Sequence, residues 1–395
     1  MIDFGASRET FRSTFFEQRP MYRPQAFDPS GYDWTLIDKA LDLQDCSRER
    51  FKVLRQGRIA PETYVEEYVD VGLRRRRIRK DRLYKLLSDG ATIVLNRIEL
   101  VSQPTLDICL QVGRFAGAQA TANAYASFGG DAATNVHWDT HDVFVVQMSG
   151  KKHWRLYEPT MLLPISSQTS NERKDDVPAE PAFDRVLEAG DVLYVPRGWW
   201  HRVVPVESTD TLHLAVAVHT PLVLDYLVWA CASRLPEHLE LRHSLLGGSI
   251  DPERVEQATE IVRAVLTDHR TLEAFYARSR SRERVVAPFN VDLLLNRRDE
   301  PLPASTQVML NSAHTGAGEA ATQVNGQPLG PIEPYQAIIR ALSDTISLNV
   351  DTLRDRLPHI APERLDALLR ELALGDVIRL WEAGTPALHP CDILA

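Results

Sequence analysis

At 395 residues the chain exceeds what one ordinary core organises, and its length alone points to two or three domains. Hydrophobic residues at 44% and charged residues at 25% are globular values, which excludes a disordered chain or a coiled coil. A balance of 45 Lys plus Arg against 54 Asp plus Glu leaves a net charge of -9, so a polyanion partner would need a local basic patch.

The first 85 residues mix helical and irregular signals, with Phe11, Phe15 and Phe16 at helical spacing and a basic run at the end. The opening stretch MIDFGASRETFRSTFFEQRP is polar, and no run approaches the apolar length of a membrane span, so secretion and membrane insertion are not expected. From Ala91 the texture changes. Six short β-rich runs, Ala91–Leu95, Asn123–Phe128, Val143–Met148, Trp154–Tyr157, Asp191–Val195 and Leu212–Val218, are separated by Gly, Pro, Ser and Asp, the pattern of a sandwich or barrel. After Pro221 the segments Leu222–Leu246 and Pro252–Arg282 read as amphipathic helices, expected to mediate a homodimer. Residues 297–331, rich in Pro, Gly, Ala and Ser, read as a linker. Three short helices, Pro334–Ser343, Val350–Leu357 and Pro362–Leu374, then precede a strand at 377–381, which predicts a C-terminal winged helix. The expected division is therefore 1–220, 221–296, 297–331 and 332–395. Cys46, Cys109, Cys231 and Cys391 form no CxxC pair and read as reduced thiols, pointing to the cytoplasm.

One constellation carries chemistry. In NVHWDTHDVFVVQ, His137 and Asp139 stand two apart where a strand is expected to begin, so both side chains can reach one ion. His201 follows a Pro-Arg-Gly turn in GDVLYVPRGWWHRV. Two imidazoles and a carboxylate on one side of a metal leave three positions open for a co-substrate and O2, the facial triad of non-haem iron oxygenases, although a zinc site can use the same donors. His141 shares the expected strand face as a rival ligand or supporting partner. A 2-oxo acid chelating such an iron also needs a cation for its far carboxylate. In SGKKHWRLY, Lys152 and Trp154 point to one face and Lys151, His153 and Arg155 to the other, so one of the two lysines must face inward. Asn123 and Tyr125 alternate with Ala124 and could donate hydrogen bonds to the same carboxylate.

These motifs, NAYASFGGDAATNVHWDTHDVFVVQMSGKKHWRLYEP, LEAGDVLYVPRGWWHRVV and LHLAVAV, resemble the Jumonji C oxygenases, and within them the ribosomal-oxygenase and bacterial cupin-like branch. The resemblance implies a mainly β catalytic core, a double-stranded β-helix of the cupin or jelly-roll kind, with an added α-helical region and a C-terminal winged-helix domain. It implies Fe(II) on His137, Asp139 and His201, and 2-oxoglutarate held by Lys152 with Asn123 and Tyr125 lining the same pocket. The implied activity is hydroxylation of a protein or peptide side chain, ribosomal substrates included, or demethylation where the attacked carbon is an N-methyl. Two rivals stand beside it: a metal-binding cupin without oxygenase activity, such as an isomerase or ligand-binding module, and a ligand-sensing regulator whose winged helix binds DNA.

Residues 332–395 hold ten acidic and six basic side chains, which argues against phosphate contacts there and for protein docking. Residues 74–85, RRRRIRKDRLYK, hold eight basic side chains, read either as a site for an anionic peptide or RNA or as a solvated basic helix. Trp199 and Trp200 are expected either to wall a substrate channel or to pack the barrel.

Overall fold

The computed structural model describes every residue except 33, 44–49, 131, 207–208, 245–250, 287–288, 290, 295–299, 313–322, 330–332, 344 and 383–395. Cys46 and Cys391 lie outside the described residues, and Cys109 and Cys231 are free thiols. Two compact units divide the described chain, one over Met1–His219 and one over Thr220–Gly384.

In the first unit the strands are β1 (Met21–Arg23), β2 (Phe51–Leu54), β3 (Val65–Asp70), β4 (Leu73–Ile78), β5 (Thr92–Asn96), β6 (Gln119–Phe128), β7 (Asp142–Ser149), β8 (Lys151–Tyr157), β9 (Phe183–Glu188), β10 (Val192–Val195), β11 (Trp200–Pro205) and β12 (Asp210–His219). They build a seven-stranded sheet in the order β1-β10-β7-β12-β6-β5-β2 and, facing it, a three-stranded sheet β11-β8-β9. Every ladder of the two sheets is antiparallel, and β12 pairs along its whole length with β6 and from Leu212 to Val218 with β7. Strict alternation follows. Phe144, Val146, Leu212, Leu214, Val216 and Tyr194 pack behind the large sheet, whereas Val143, Val145, Leu193 and Val195 point between the sheets toward Trp154, Leu156, Leu187 and Trp199. This jelly roll is the core architecture expected from the sequence.

The layer behind the large sheet is supplied by α1 (Arg8–Thr14), α2 (Thr35–Leu43), α3 (Lys80–Ser88) and α4 (Gln103–Ala116). The α4 sequence marks its own ends: Ser102 Oγ accepts from the Thr105 N–H at 3.3 Å, Pro104 opens the first turn, and Gly117 closes the helix at φ +80°. Its Ile108, Val112 and Phe115 share a core with Ala122, Ala124 and Ala126 of β6, small residues that let helix and sheet approach closely. Phe11 is fully buried in a ring cluster with Phe115, Phe144 and Tyr194, which fixes the N-terminal segment.

Three expectations are corrected. The basic run 74–85 is not a single helix: β4 pairs with β3 as a separate hairpin, and only then does α3 begin. Glu66 and Glu67 take Arg77, Arg79 and Arg76 across the ladder, so part of the run is neutralised. Beyond Thr220, the expected helix at 222–246 stops at Arg234, where Leu235-Pro236-Glu237 forms a 3-10 turn because Pro236 supplies no amide hydrogen. The described helices are α5 (Val223–Arg234), α6 (Pro252–Thr267) and α7 (His269–Arg282), the last two separated by Asp268, whose carboxylate accepts from the Arg270 N–H. Third, 297–331 is not all linker. Thr306–Leu310 is β13, followed by the β14 (Gln323–Val324) and β15 (Gln327–Pro328) hairpin, and β13 is the central strand between β16 (Leu348–Asn349) and β17 (Ile378–Glu382). On this sheet pack α8 (Glu333–Ser343), α9 (Val350–Arg356) and α10 (Pro362–Leu374), around buried Ile338, Leu342, Leu353, Leu365 and Leu369.

Candidate active site

His137, Asp139 and His201 converge, with one donor atom from each lying within 4.8 Å of the others. The sequence expectation placed His137 and Asp139 at the start of a strand; the structure places them in the connection before β7, which begins only at Asp142. What holds His137 instead is a single antiparallel bridge to His201: the His201 N–H donates to the His137 carbonyl at 2.8 Å and the His137 N–H to the His201 carbonyl at 3.2 Å. The Gly198 N–H donates to the Asp139 carbonyl at 3.0 Å, tying the second turn to the third donor. Gly198 stands at φ +85°, and a Cβ there would lie 2.7 Å from the Met161 carbonyl, so only glycine makes this turn without strain. The turn is further fixed by Arg197, which donates to Glu17 at 2.6 Å, and by Tyr194, which donates to Asp142 at 2.5 Å.

The ring nitrogens are committed in a way that suits a metal. His137 Nδ1 lies 2.9 Å from the Asn135 carbonyl and His201 Nδ1 lies 3.1 Å from the Trp199 carbonyl. A carbonyl can only accept, so each Nδ1 carries the hydrogen and each Nε2 presents a lone pair. His201 Nε2 faces Asp139 Oδ2 at 3.7 Å. Burial, then His137, pushes the His201 imidazole down to about 4, so it is neutral and ready to ligate at ordinary pH. Burial pushes the Asp139 carboxyl up, but the neighbouring histidines His201, His137 and His141 outweigh it and leave it below its usual range, ionised. This donor set, two imidazoles and a carboxylate on one side, fits a divalent transition metal with open positions.

The three donors line a cavity of about 710 Å³, counting its open mouth, between the two sheets. Lys152 and Trp154 enter it from β8, side by side with Pro205 and Val203 of β11 in the ladder register. Lys152 is buried, with its Nζ 3.1 Å from Nδ1 of His213. Burial pulls its ammonium down to about 7. His213, driven well below its usual range first by burial and then by Lys152, stays neutral and accepts that hydrogen bond. Its ring stacks on Tyr125, with centroids 4.9 Å apart and planes 6° from parallel. Among the described residues no carboxylate pairs with Lys152, which lines the same cavity as the metal donors beside the stacked His213 and Tyr125 rings.

The structure therefore brings His137, Asp139, His201, Lys152 and Tyr125 into one cavity. Asn123 points to the same sheet face as Tyr125 but is not among the cavity-lining residues; its Oδ1 accepts from the Arg97 N–H at 3.1 Å. His141 lines the cavity outside the donor cluster, its ring 5.9 Å from that of His219. Trp199 and Trp200 pack the barrel rather than wall the cavity: Trp199 joins the inner core, and Trp200, fully buried, donates to Thr160. His213 was not singled out from the sequence. Its signal was a histidine alternating with apolar residues in LHLAVAV, one residue in a strand otherwise fit for a core.

Residues 94–226 match the family model described as JmjC domain. The chain is 31% identical over 163 residues to a bifunctional lysine-specific demethylase and histidyl-hydroxylase NO66 of Drosophila mojavensis, covering 40% of this chain and 18% of that protein. It is 35% identical over 136 residues to ribosomal oxygenase 1 of Danio rerio, covering 33% of this chain and 25% of that protein. The matches thus span about a quarter or less of these two relatives' lengths. The solved structure of YcfD, a ribosomal oxygenase from Escherichia coli in complex with cobalt and 2-oxoglutarate, matches with a TM-score of 0.59 and 14% identity, covering 96% of this chain and 99% of that one. At that identity the likeness is one of fold. Residues 94–226 are thus similar to a JmjC domain, and the relatives that share sequence with this region are named as ribosomal oxygenase and NO66 proteins.

Proposed function

We propose that this chain is an Fe(II)- and 2-oxoglutarate-dependent dioxygenase that hydroxylates a side chain of a protein or peptide. The observation that carries the reading is the pairing of the His137, Asp139 and His201 donors with an unneutralised buried lysine, Lys152, in one cavity. A zinc cupin needs the first and has no use for the second.

When bound, iron with 2-oxoglutarate and O2 supplies the oxidising power, turning the 2-oxo acid into succinate and CO2 while one oxygen goes to the substrate. The chain's part is placement. Lys152 would hold the far carboxylate by a charge-assisted hydrogen bond, with His213 keeping Nζ in position and the Tyr125 hydroxyl as a second donor. The Asn135 and Trp199 carbonyls hold both imidazoles in the ligating tautomer. Val143, Val145, Val195 and Val203 give the cavity an apolar stretch of wall that would limit water near the reacting carbon. Asn123, read from sequence as a further contact to 2-oxoglutarate, would reach it only by releasing the Arg97 N–H.

Relatives named for histidyl hydroxylation and ribosomal oxygenation support a protein substrate, with a ribosomal protein as the class to test first. The test compares proteomes of cells carrying the intact protein and the His137→Ala variant, searched for side chains heavier by one oxygen. A modified peptide should then stimulate iron-dependent succinate release from the purified protein. Formaldehyde in place of a retained oxygen would convert the reading to demethylation, and no iron- and peptide-dependent succinate would overturn it.

A homodimer through the helical region belongs to the same reading. Val223, Leu224, Leu227 and Val228 of α5 are exposed apolar side chains, a face that a second copy would cover. Sedimentation of Val228→Glu against the parent chain tests it, with an unchanged mass opposing the dimer. The acidic C-terminal unit, three helices on a small sheet, is read as a winged-helix-like protein-docking module. No described helix is long and apolar enough to cross a membrane, and a cytoplasmic setting accords with free Cys109 and Cys231.

A further inference from the structure

We propose that the β3–β4 hairpin and the first turn of α3 form a docking surface for folded RNA, independent of the oxygenase chemistry. The hairpin is a sheet of its own, joined by no third strand among the described residues. Its register separates two kinds of arginine. Arg76 and Arg77 face Glu67 and Glu66 and are ion-paired with them, and Arg79 pairs with Glu66 and Asp81. Arg74 and Arg75 face Val69 and Tyr68 instead, and take no carboxylate among the described residues. Successive residues of a strand point to opposite faces, so Arg74 and Arg75, neither in a salt bridge among the described residues, stand on opposite sides of the ribbon, Arg74 still near enough to help hold the Glu67 carboxyl low.

Lys80 and Arg82, at the start of α3, add two exposed cations without a described ion pair. A protein with net charge -9 that gathers here four cations outside any salt bridge among the described residues has a local field of the opposite sign to its average. Two exposed tyrosines lie among these cations: Tyr68, with the Arg77 guanidinium 5.1 Å from its ring centroid, and Tyr84, 57% exposed on α3. Arginine supplies bidentate contacts to phosphate, and exposed aromatic rings stack on unpaired bases, which folded RNA offers in its loops and bulges. An acidic peptide would satisfy the cations and leave the rings idle. An anionic membrane would use the apolar tip, Val69, Val71 and Leu73, and leave both faces of the ribbon unevenly engaged.

The test is fluorescence anisotropy of a labelled RNA stem-loop with the full chain across a range of KCl concentrations. Binding should weaken with salt. In Arg74→Ala/Arg75→Ala the slope of log affinity against log salt should fall by about 1.5, the share of two phosphate contacts, with affinity lowered about tenfold or more. Glu67→Gln, which releases Arg76, should tighten binding. No binding of the stem-loop, an unchanged slope in the double variant with its melting temperature retained, or tighter binding of polyglutamate or phosphatidylserine vesicles would each overturn the proposal.

Discussion

Replacement of Lys152 by Met separates the co-substrate site from the metal. Burial holds the lysine ammonium at about 7, against an ordinary 10.5. A dicarboxylate binds the charged form, so affinity of the metal-loaded protein for 2-oxoglutarate should fall roughly tenfold between pH 6 and 8, and roughly tenfold again by pH 9. In Lys152→Met the charge-assisted hydrogen bond is lost, worth ~1.5–3 kcal/mol or ~10–150-fold in affinity, and the pH dependence should vanish with it. Anaerobic calorimetric titration of 2-oxoglutarate into the Mn(II)-loaded protein reads both effects. The same substitution should raise stability without ligand. The folded state lowers this amine's affinity for protons, so its penalty is complete below pH 7 and disappears as pH rises toward 10.5. At pH 6 the Met variant should gain as much as ~4–5 kcal/mol from relief of the buried charge. Unchanged affinity in the variant, or a parent affinity flat from pH 6 to 9, would refute the placement of an uncompensated Lys152 in the co-substrate site.

His137→Ala and Asp139→Ala should each remove one donor and abolish iron-dependent turnover. Co(II) absorption titration should show metal affinity lower by at least about 10-fold while thermal melting remains cooperative; metal binding at parent strength would remove that residue from the donor set. Gly198→Ala forces a side chain into φ +85° against the Met161 carbonyl, and should cost about 1–3 kcal/mol in denaturant unfolding. Because the Gly198 N–H holds the Asp139 carbonyl, Co(II) affinity should fall in parallel; stability loss with parent metal affinity would contradict that link. Glu17→Gln leaves the buried Arg197 without its charge partner, and should lower the unfolding free energy by about 1–3 kcal/mol with metal binding retained.

The barrel was legible because its strands bury apolar residues on regular alternation, and the donors because a His-x-Asp pair stood just before one apolar run and a distant His just after a Pro-Arg-Gly turn. Lys152 could be narrowed only to one of two neighbouring lysines by periodicity; its burial beside His213 is a tertiary fact. The hairpin β3–β4 escaped because four consecutive arginines mask the alternation of VEEYVD, and the turn signal was only Val71-Gly72. Pro, Gly, Ala and Ser spread through 297–331 outweighed TQVML in the reading of that segment, so the central strand of the C-terminal sheet was missed. His213 carries its role through a partner 61 residues away, which no local pattern encodes.

The single bridge between His137 and His201 has a bearing on how this protein could change. Where a fourth strand of the smaller sheet would run, the chain meets β11 at His137, by two backbone hydrogen bonds, and is tied through Gly198 at Asp139, while the Ala132 and Ala133 carbonyls accept from the Gln56 and Gly57 N–H groups. The stretch from Gly129 to Val136 is thereby spared the register demands of a ladder, yet Ala133 and Thr134 reach the cavity. The side chains of Ala133 and Thr134 can be exchanged while the Asn135 carbonyl goes on orienting the His137 ring. Under the proposed activity, selectivity for the target side chain would then rest in part on residues that mutation can change apart from the three metal donors.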